Sequence, residues 1–179
     1  MNDLILVIDM QNAYREGMPW ACHAFGDTIS NIKKLLDSGR DAAFTLFIPP
    51  AKPFGAWNEY MRVNKSINEN EWAGKLIDEL VPYTEHYPVF EKSTYSSLSN
   101  PVFRELAHKY ERLVVTGVVA ECCVLSTVLS AIDEGLPFVY LKDAVSGLSP
   151  VTESESEAIV SYMTPVHGTI MTVDEYLES

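Results

Sequence analysis

Short unbroken apolar runs alternate along this chain with stretches in which apolar residues recur every three or four positions. The first run, residues 3–8 (Asp-Leu-Ile-Leu-Val-Ile), lacks the alternation of a half-exposed strand and predicts a strand buried on both faces. Residues 23–38 place Ile29, Ile32, Leu35 and Leu36 at helical spacing, and Gly39 supplies a stop. A second run, 42–48, ends at Pro49-Pro50. The stretch 49–72 reads as loop, because Pro49, Pro50, Pro53 and Gly55 interrupt any period. Residues 87–91 predict a short strand, and 100–109 a helix with Pro101 in its first turn. A clear strand–helix–strand unit follows. Leu113 to Val118 is the strand; Val124, Leu125, Val128, Leu129 and Ile132 mark an amphipathic helix stopped by Gly135; residues 137–141 are the next strand. Ser154 to Met163 predicts another helix and residues 169–171 a last strand.

Strands alternating with helices imply a three-layer α/β/α fold with a mostly parallel, six-stranded sheet of Rossmann-like type. The length of 179 residues suits one domain, 1–179, with one core. In such sheets ligands bind outside the carboxyl ends of the strands. That rule selects four loops: after Ile8, after Ile48, from Lys92 to Leu98, and after Val118.

Charge narrows the partners. With 13 basic and 25 acidic side chains the net charge is −12, which opposes unaided binding to nucleic acid or to anionic lipid. A small molecule is the expected partner. No apolar run reaches membrane-span length, and the N-terminus has no basic lead before Asp9, so the cytoplasm is the expected compartment. Cys22, Cys122 and Cys123 make no disulfide framework. The four histidines show no metal-binding spacing, and Gly117 stands without a phosphate-loop pattern, so no cofactor is expected.

Against this background few residues carry chemistry. Asp9 directly follows a buried run, where desolvation raises a carboxyl pKa and suits it to acid–base work; a capping role fits its position equally well. Cys122 and Cys123 fall at a predicted helix start, whose dipole and unpaired N–H groups favour a thiolate and an oxyanion. Burial is the commoner fate of either cysteine, and Glu121 opposes thiolate formation. Adjacent helical residues point about 100° apart, so one cysteine at most faces a site. Lys92 follows an apolar run and is positioned to steady a negative charge; an exposed cation is the plainer reading. Tyr14, Phe47, Trp57, Tyr60 and Tyr95 flank the candidate mouth and predict a pocket for a flat or apolar substrate, or ordinary packing. Arg62 is a candidate for a substrate carboxylate, or a solvated surface residue.

Three segments, in order, resemble the isochorismatase-like cysteine hydrolase superfamily, which includes nicotinamidases and N-carbamoylsarcosine amidases. Leu6-Val7-Ile8-Asp9-Met10-Gln11-Asn12 is similar to its opening strand with the catalytic aspartate. Glu91-Lys92-Ser93-Thr94-Tyr95-Ser96 is similar to its lysine segment, and Val114 to Val124 to its nucleophile segment. Gly135 and Asp143-Ala144 match later landmarks. The resemblance implies Cys123 as nucleophile with Asp9 and Lys92, a cis peptide at Val118-Val119, and an oxyanion site at the N–H groups of Val119 and Cys123. Two departures matter. The metal cluster that nicotinamidase-like members carry after the second strand is replaced by Thr45-Leu46-Phe47-Ile48-Pro49-Pro50, and the usual Thr-Asp before the nucleophile is Ala120-Glu121. The implied activity is metal-independent cleavage of a C–N bond in a small amide, carbamoyl or ureide compound through an acyl-enzyme. The alternatives are vinyl-ether hydrolysis of isochorismate type and an idle relative that binds a metabolite or protein. A homo-oligomer is expected, with the aromatics of 49–72 covered by a partner subunit.

Overall fold

The computed structural model describes residues 2–179. Six strands form one all-parallel sheet: β1 (Asp3–Ile8), β2 (Ala42–Phe47), β3 (Val89–Lys92), β4 (Arg112–Val118), β5 (Phe138–Ser146) and β6 (Gly168–Met171), in the order β3-β2-β1-β4-β5-β6. Every residue of β1 is buried, as expected for a central strand covered on both sides. Its side chains alternate between two cores. Ile5 and Val7 pack with α1 (Phe25–Asp37) and α7 (Val173–Glu178). Leu4, Leu6 and Ile8 pack with α4 (Pro101–Ala107), α5 (Leu125–Asp133) and α6 (Pro150–Tyr162). This is the three-layer α/β/α architecture.

Five elements depart from the sequence expectation. Trp57–Val63 and Lys65–Asn68 form helices α2 and α3 inside the stretch read as loop. Strand β5 continues past residue 141 to Ser146, through the polar Lys142-Asp143. Helix α6 begins at Pro150, four residues early, behind a Ser149/Thr152 capping box. The C-terminal helix α7, capped by Thr172 and Glu175, was not anticipated. Among the described residues no helix is long and apolar enough to cross a membrane.

One glycine sets the spacing beneath the site. Gly117, near the end of β4, has φ +101° and lies against β1, where a Cβ would meet the Ile8 carbonyl oxygen at 2.2 Å. Only glycine permits that approach. It lets the chain leave β4 directly alongside Asp9.

Candidate active site

The carboxyl ends of β1, β3 and β4, on one edge of the sheet's four-strand stretch β3-β2-β1-β4, bring Asp9, Lys92 and Cys123 together. Asp9 leaves β1 with φ 51°, a left-handed conformation that aspartate tolerates better than most residues. Its N–H donates to Thr45 O at 2.8 Å, which ties it to β2. Gln11 strengthens this join: its amide donates to Phe47 O (3.0 Å) and Gly74 O (2.7 Å), and Phe47 N–H donates to its Oε1 (2.9 Å). Lys92 is the last residue of β3. Cys123 lies in a single π-type turn, Ala120–Val124, where Val124 N–H donates to Val119 O at 3.2 Å. Thr127 anchors that turn. Its hydroxyl donates to Cys123 O (2.7 Å) and accepts from Ser97 N–H (2.9 Å).

The Lys92 ammonium sits at the centre. It donates to Asp9 Oδ2 at 2.6 Å, to Cys123 Sγ at 3.3 Å and to Thr94 O at 3.2 Å, so its three donors are all taken. The side chains of Asp9 and Lys92 have no solvent exposure. Asp9 Oδ1 is buried and accepts no hydrogen bond. Burial raises the Asp9 pKa, against the lowering pull of Lys92. Burial opposes the Lys92 charge, but Asp9 and Cys123 outweigh it and hold the ammonium charged. Burial, then the Asp9 carboxyl, push the Cys123 thiol well above its ordinary range. The thiolate expected from a helix start is therefore not the resting form. The π-type turn precedes α5, and desolvation beside a carboxyl outweighs the helix-end field.

Above the thiol is a cavity of about 140 Å³. Tyr14, Phe47, Tyr60 and Tyr95 line it, with Val119, Cys122 and Cys123. Trp20 and Leu148 line it too, and neither was picked out from the sequence. Trp20 was findable as an aromatic in the loop after β1; Leu148 was hidden because β5 was ended too soon. Trp57 does not line the cavity. It stands behind the wall, stacked on Phe47 at 6.2 Å between ring centroids and edge-on to Tyr60 and Tyr95, each at 5.0 Å. Val118 is fully buried behind Val119, and their peptide is cis. Arg62 is apart from the cavity, exposed and held by Glu59 at 2.8 Å. Glu121 Oε1 accepts the Leu148 N–H at 3.1 Å and so fixes the rim. A larger, more open depression of about 620 Å³ lies beside Arg15, Cys22 and Glu79. Its cysteine is buried, with the thiol pushed up chiefly by desolvation, and it has no acid–base partner comparable to Asp9.

A metal of the nicotinamidase kind does not fit these residues. The end of β2 supplies no Asp or His, and among the described residues no three His, Cys, Asp or Glu side chains cluster as ligands.

A thiol, a carboxylate and an ammonium under one cavity, at the strand ends of a parallel sheet, define an α/β protein with the makings of acid–base and nucleophilic chemistry. Residues 3–175 match the isochorismatase domain, and the chain belongs to that family. It is 27% identical over 205 aligned positions to ureidoacrylate amidohydrolase RutB of Variovorax paradoxus (strain S110), covering 98% of this chain and 80% of the relative. It is 28% identical over 116 residues to isochorismatase family protein 1B of Dictyostelium discoideum, covering 50% of this chain; the match spans 56% of that relative's length. The fold is similar to the solved structure of an isochorismatase-like hydrolase from Alkaliphilus metalliredigens, with a TM-score of 0.80, 22% identity, and coverage of 99% of this chain and 98% of that one.

Proposed function

We propose that the protein is a metal-independent cysteine hydrolase that cleaves a C–N bond in a small amide, carbamoyl or ureide substrate. One observation carries the reading: a single buried ammonium contacts both the Asp9 carboxyl and the Cys123 sulfur at the floor of the cavity. The kinship with an amidohydrolase supports the reaction class.

The chemistry follows from the charges. With Lys92 cationic, Asp9 anionic and Cys123 neutral, the buried triad carries no net charge. As Sγ attacks the substrate carbonyl, the thiol proton moves to Asp9, whose Oδ1 is the open acceptor. The raised pKa of Asp9 makes it a stronger base than a surface aspartate. The oxyanion is received by the N–H groups of Val119 and Cys123. Collapse breaks the C–N bond, and the proton passes from Asp9 to the leaving amine. Water then adds to the thioester, giving a proton to Asp9; the C–S bond breaks and sulfur takes the proton back. Lys92 keeps its charge throughout and offsets whichever of Asp9 and Cys123 is ionised.

The test is a screen of amides, carbamoyl compounds and ureides for ammonia or amine release, with Cys123→Ala as control. Turnover in the wild type should fall by about 10⁴-fold or more in the variant, with the thermal midpoint little changed. Hydrolysis surviving in Cys123→Ala, or an acyl group trapped on another residue, would end the proposal.

A further inference from the structure

We propose that the site takes neutral amides with a single flat ring as acyl group and rejects those bearing a carboxylate. The inference rests on the cysteine-hydrolase reading and narrows its substrate class.

The walls come first. Tyr14, Trp20, Phe47, Tyr60 and Tyr95 make five of the nine lining residues aromatic. A volume of about 140 Å³ is close to the ~150 Å³ in which an apolar protein cavity holds one benzene ring. Such walls gain from ring-on-ring contact with a planar acyl group, whereas a two-carbon group would leave most of the space unfilled.

Next, among the described residues no cation is available to a substrate anion. Lys92 is the sole basic group at the floor, and its three donors are spent on Asp9, Cys123 and Thr94. Arg62 and Arg15 lie outside the lining and are paired with Glu59 and Glu79. His23 faces Glu153 at 2.8 Å. At the rim, Leu148 is held by a carboxylate, Glu121, rather than by a cation. The protein as a whole carries −12.

The polar groups that remain are neutral. Burial pushes the phenols of Tyr14, Tyr60 and Tyr95 upward, and ionisation of the nearby Cys123 would push them further. Neutral hydroxyls around a thiol suit an amide or a ring heteroatom, and a carboxylate placed there would be desolvated without a partner.

The experiment compares four probes: benzamide, 4-carbamoylbenzoate, 4-(trimethylammonio)benzamide and acetamide. Two readouts are used, ammonia release by the wild type and calorimetric affinity for Cys123→Ala, which binds without turnover. Benzamide is expected to exceed 4-carbamoylbenzoate by about 100-fold and acetamide by about tenfold in both. Equal or better use of the carboxylate, a preference for the trimethylammonium probe, or parity with acetamide overturns the inference while leaving a cysteine hydrolase in place. If the wild type releases ammonia from none of these amides or from any in the wider screen, the hydrolase reading fails. The affinities then still decide the pocket: benzamide bound about 100-fold more tightly than the carboxylate supports the selectivity, and equal binding ends it.

Discussion

Strand β1 begins on one aspartate, Asp3, and is followed directly by another, Asp9; each is paired with a cation, yet the two pairs are built differently. At the start, Asp3 faces Arg112, the first residue of β4. Arg112 Nε donates to Oδ1 at 2.9 Å, its Nη2 to Oδ2 at 2.6 Å, and the Tyr176 hydroxyl to Oδ2 at 3.1 Å. Both carboxyl oxygens are satisfied. Burial raises the Asp3 pKa but is outweighed by these donors, and the net direction is down. Beyond the strand's other end Asp9 has one oxygen on Lys92 and the other without a protein hydrogen-bond partner, and burial prevails, so its pKa moves up. A forked, bidentate partner settles a carboxylate; a compact ammonium shared with a sulfur leaves it able to accept a proton. The first arrangement ties β1, β4 and α7 together, and the second leaves a buried acceptor unfilled, as the proposed acid–base role of Asp9 requires.

The largest separation between the two ends should appear in turnover. Asp9→Asn keeps the shape and removes the base, and kcat/KM with an amide substrate should fall by about 10²–10⁴-fold. Asp3→Asn should leave kcat/KM within about twofold, because the Asp3 pair lies at the opposite, amino end of the strands. A comparable loss in both variants would erase the distinction.

Stability should divide the ends in the opposite sense. Asp9 and Lys92 are wholly buried, and a buried pair is often no more stable than an uncharged replacement. The double variant Asp9→Asn/Lys92→Met should be inactive, and as stable as the wild type or more so by about 1–2 kcal/mol. Asp3→Asn/Arg112→Met should instead lose about 1–2 kcal/mol, since the charge-assisted bonds given up there outweigh the desolvation relieved, in line with the lowered Asp3 pKa. Denaturant unfolding of the wild type and the two double variants measures both.

The same contrast explains what could be read from residues alone. The sheet was legible because parallel strands are continuous apolar runs, and 3–8, 42–48 and 113–118 are of that kind. Strand β5 was ended early because Lys142 and Asp143 break the run, although they sit where the strand is only partly covered. Helix α2 was masked by the proline and glycine cluster just before it. Helix α7 did have a signal, the Thr172-x-x-Glu175 capping box. In the site, periodicity could place Asp9, Lys92 and Cys123 at strand ends but could not join them, because 83 positions separate Asp9 from Lys92 and 31 separate Lys92 from Cys123. The family resemblance supplied that association. What escaped both routes was Gln11 as the clamp between β1 and β2, and the raised thiol pKa, which depends on burial that only packing reveals.

Acid and alkali should unmask the ends separately. The Asp3 pKa is lowered in the folded state, so its contribution is present above its ordinary 3.8 and fades as pH falls through the folded value. The Asp9 pKa is raised, so its contribution has the reverse sign, full below 3.8 and lost as pH rises through the folded value. Cys123 is raised as well: its contribution is whole below 9.0 and declines as pH climbs beyond, where the unfolded chain ionises first. Thermal midpoints from pH 3 to 11 should show the deficit of Asp3→Asn widening from pH 3 to pH 7. The midpoint of Asp9→Asn should rise relative to wild type over that same interval, and Cys123→Ala should flatten part of the alkaline decline. Parallel curves for the two aspartate variants would refute the opposed directions.

The smallest expected effect tests the fork itself. In Arg112→Lys the positive charge stays, but two parallel contacts on two oxygens become one, while Tyr176 still serves Oδ2. Because the Arg112 side chain is a quarter exposed, water compensates much of the change, and the cost should be about 0.5–1 kcal/mol with activity retained. The reciprocal Lys92→Arg has no such relief. Three acceptors surround one compact ammonium with no solvent access, and a planar guanidinium cannot reach Asp9 Oδ2, Thr94 O and Cys123 Sγ together. Activity should therefore be lost there even though charge is conserved. If Lys92→Arg keeps its turnover, the ammonium is acting as a charge alone, and the difference between the two ends of β1 reduces to burial.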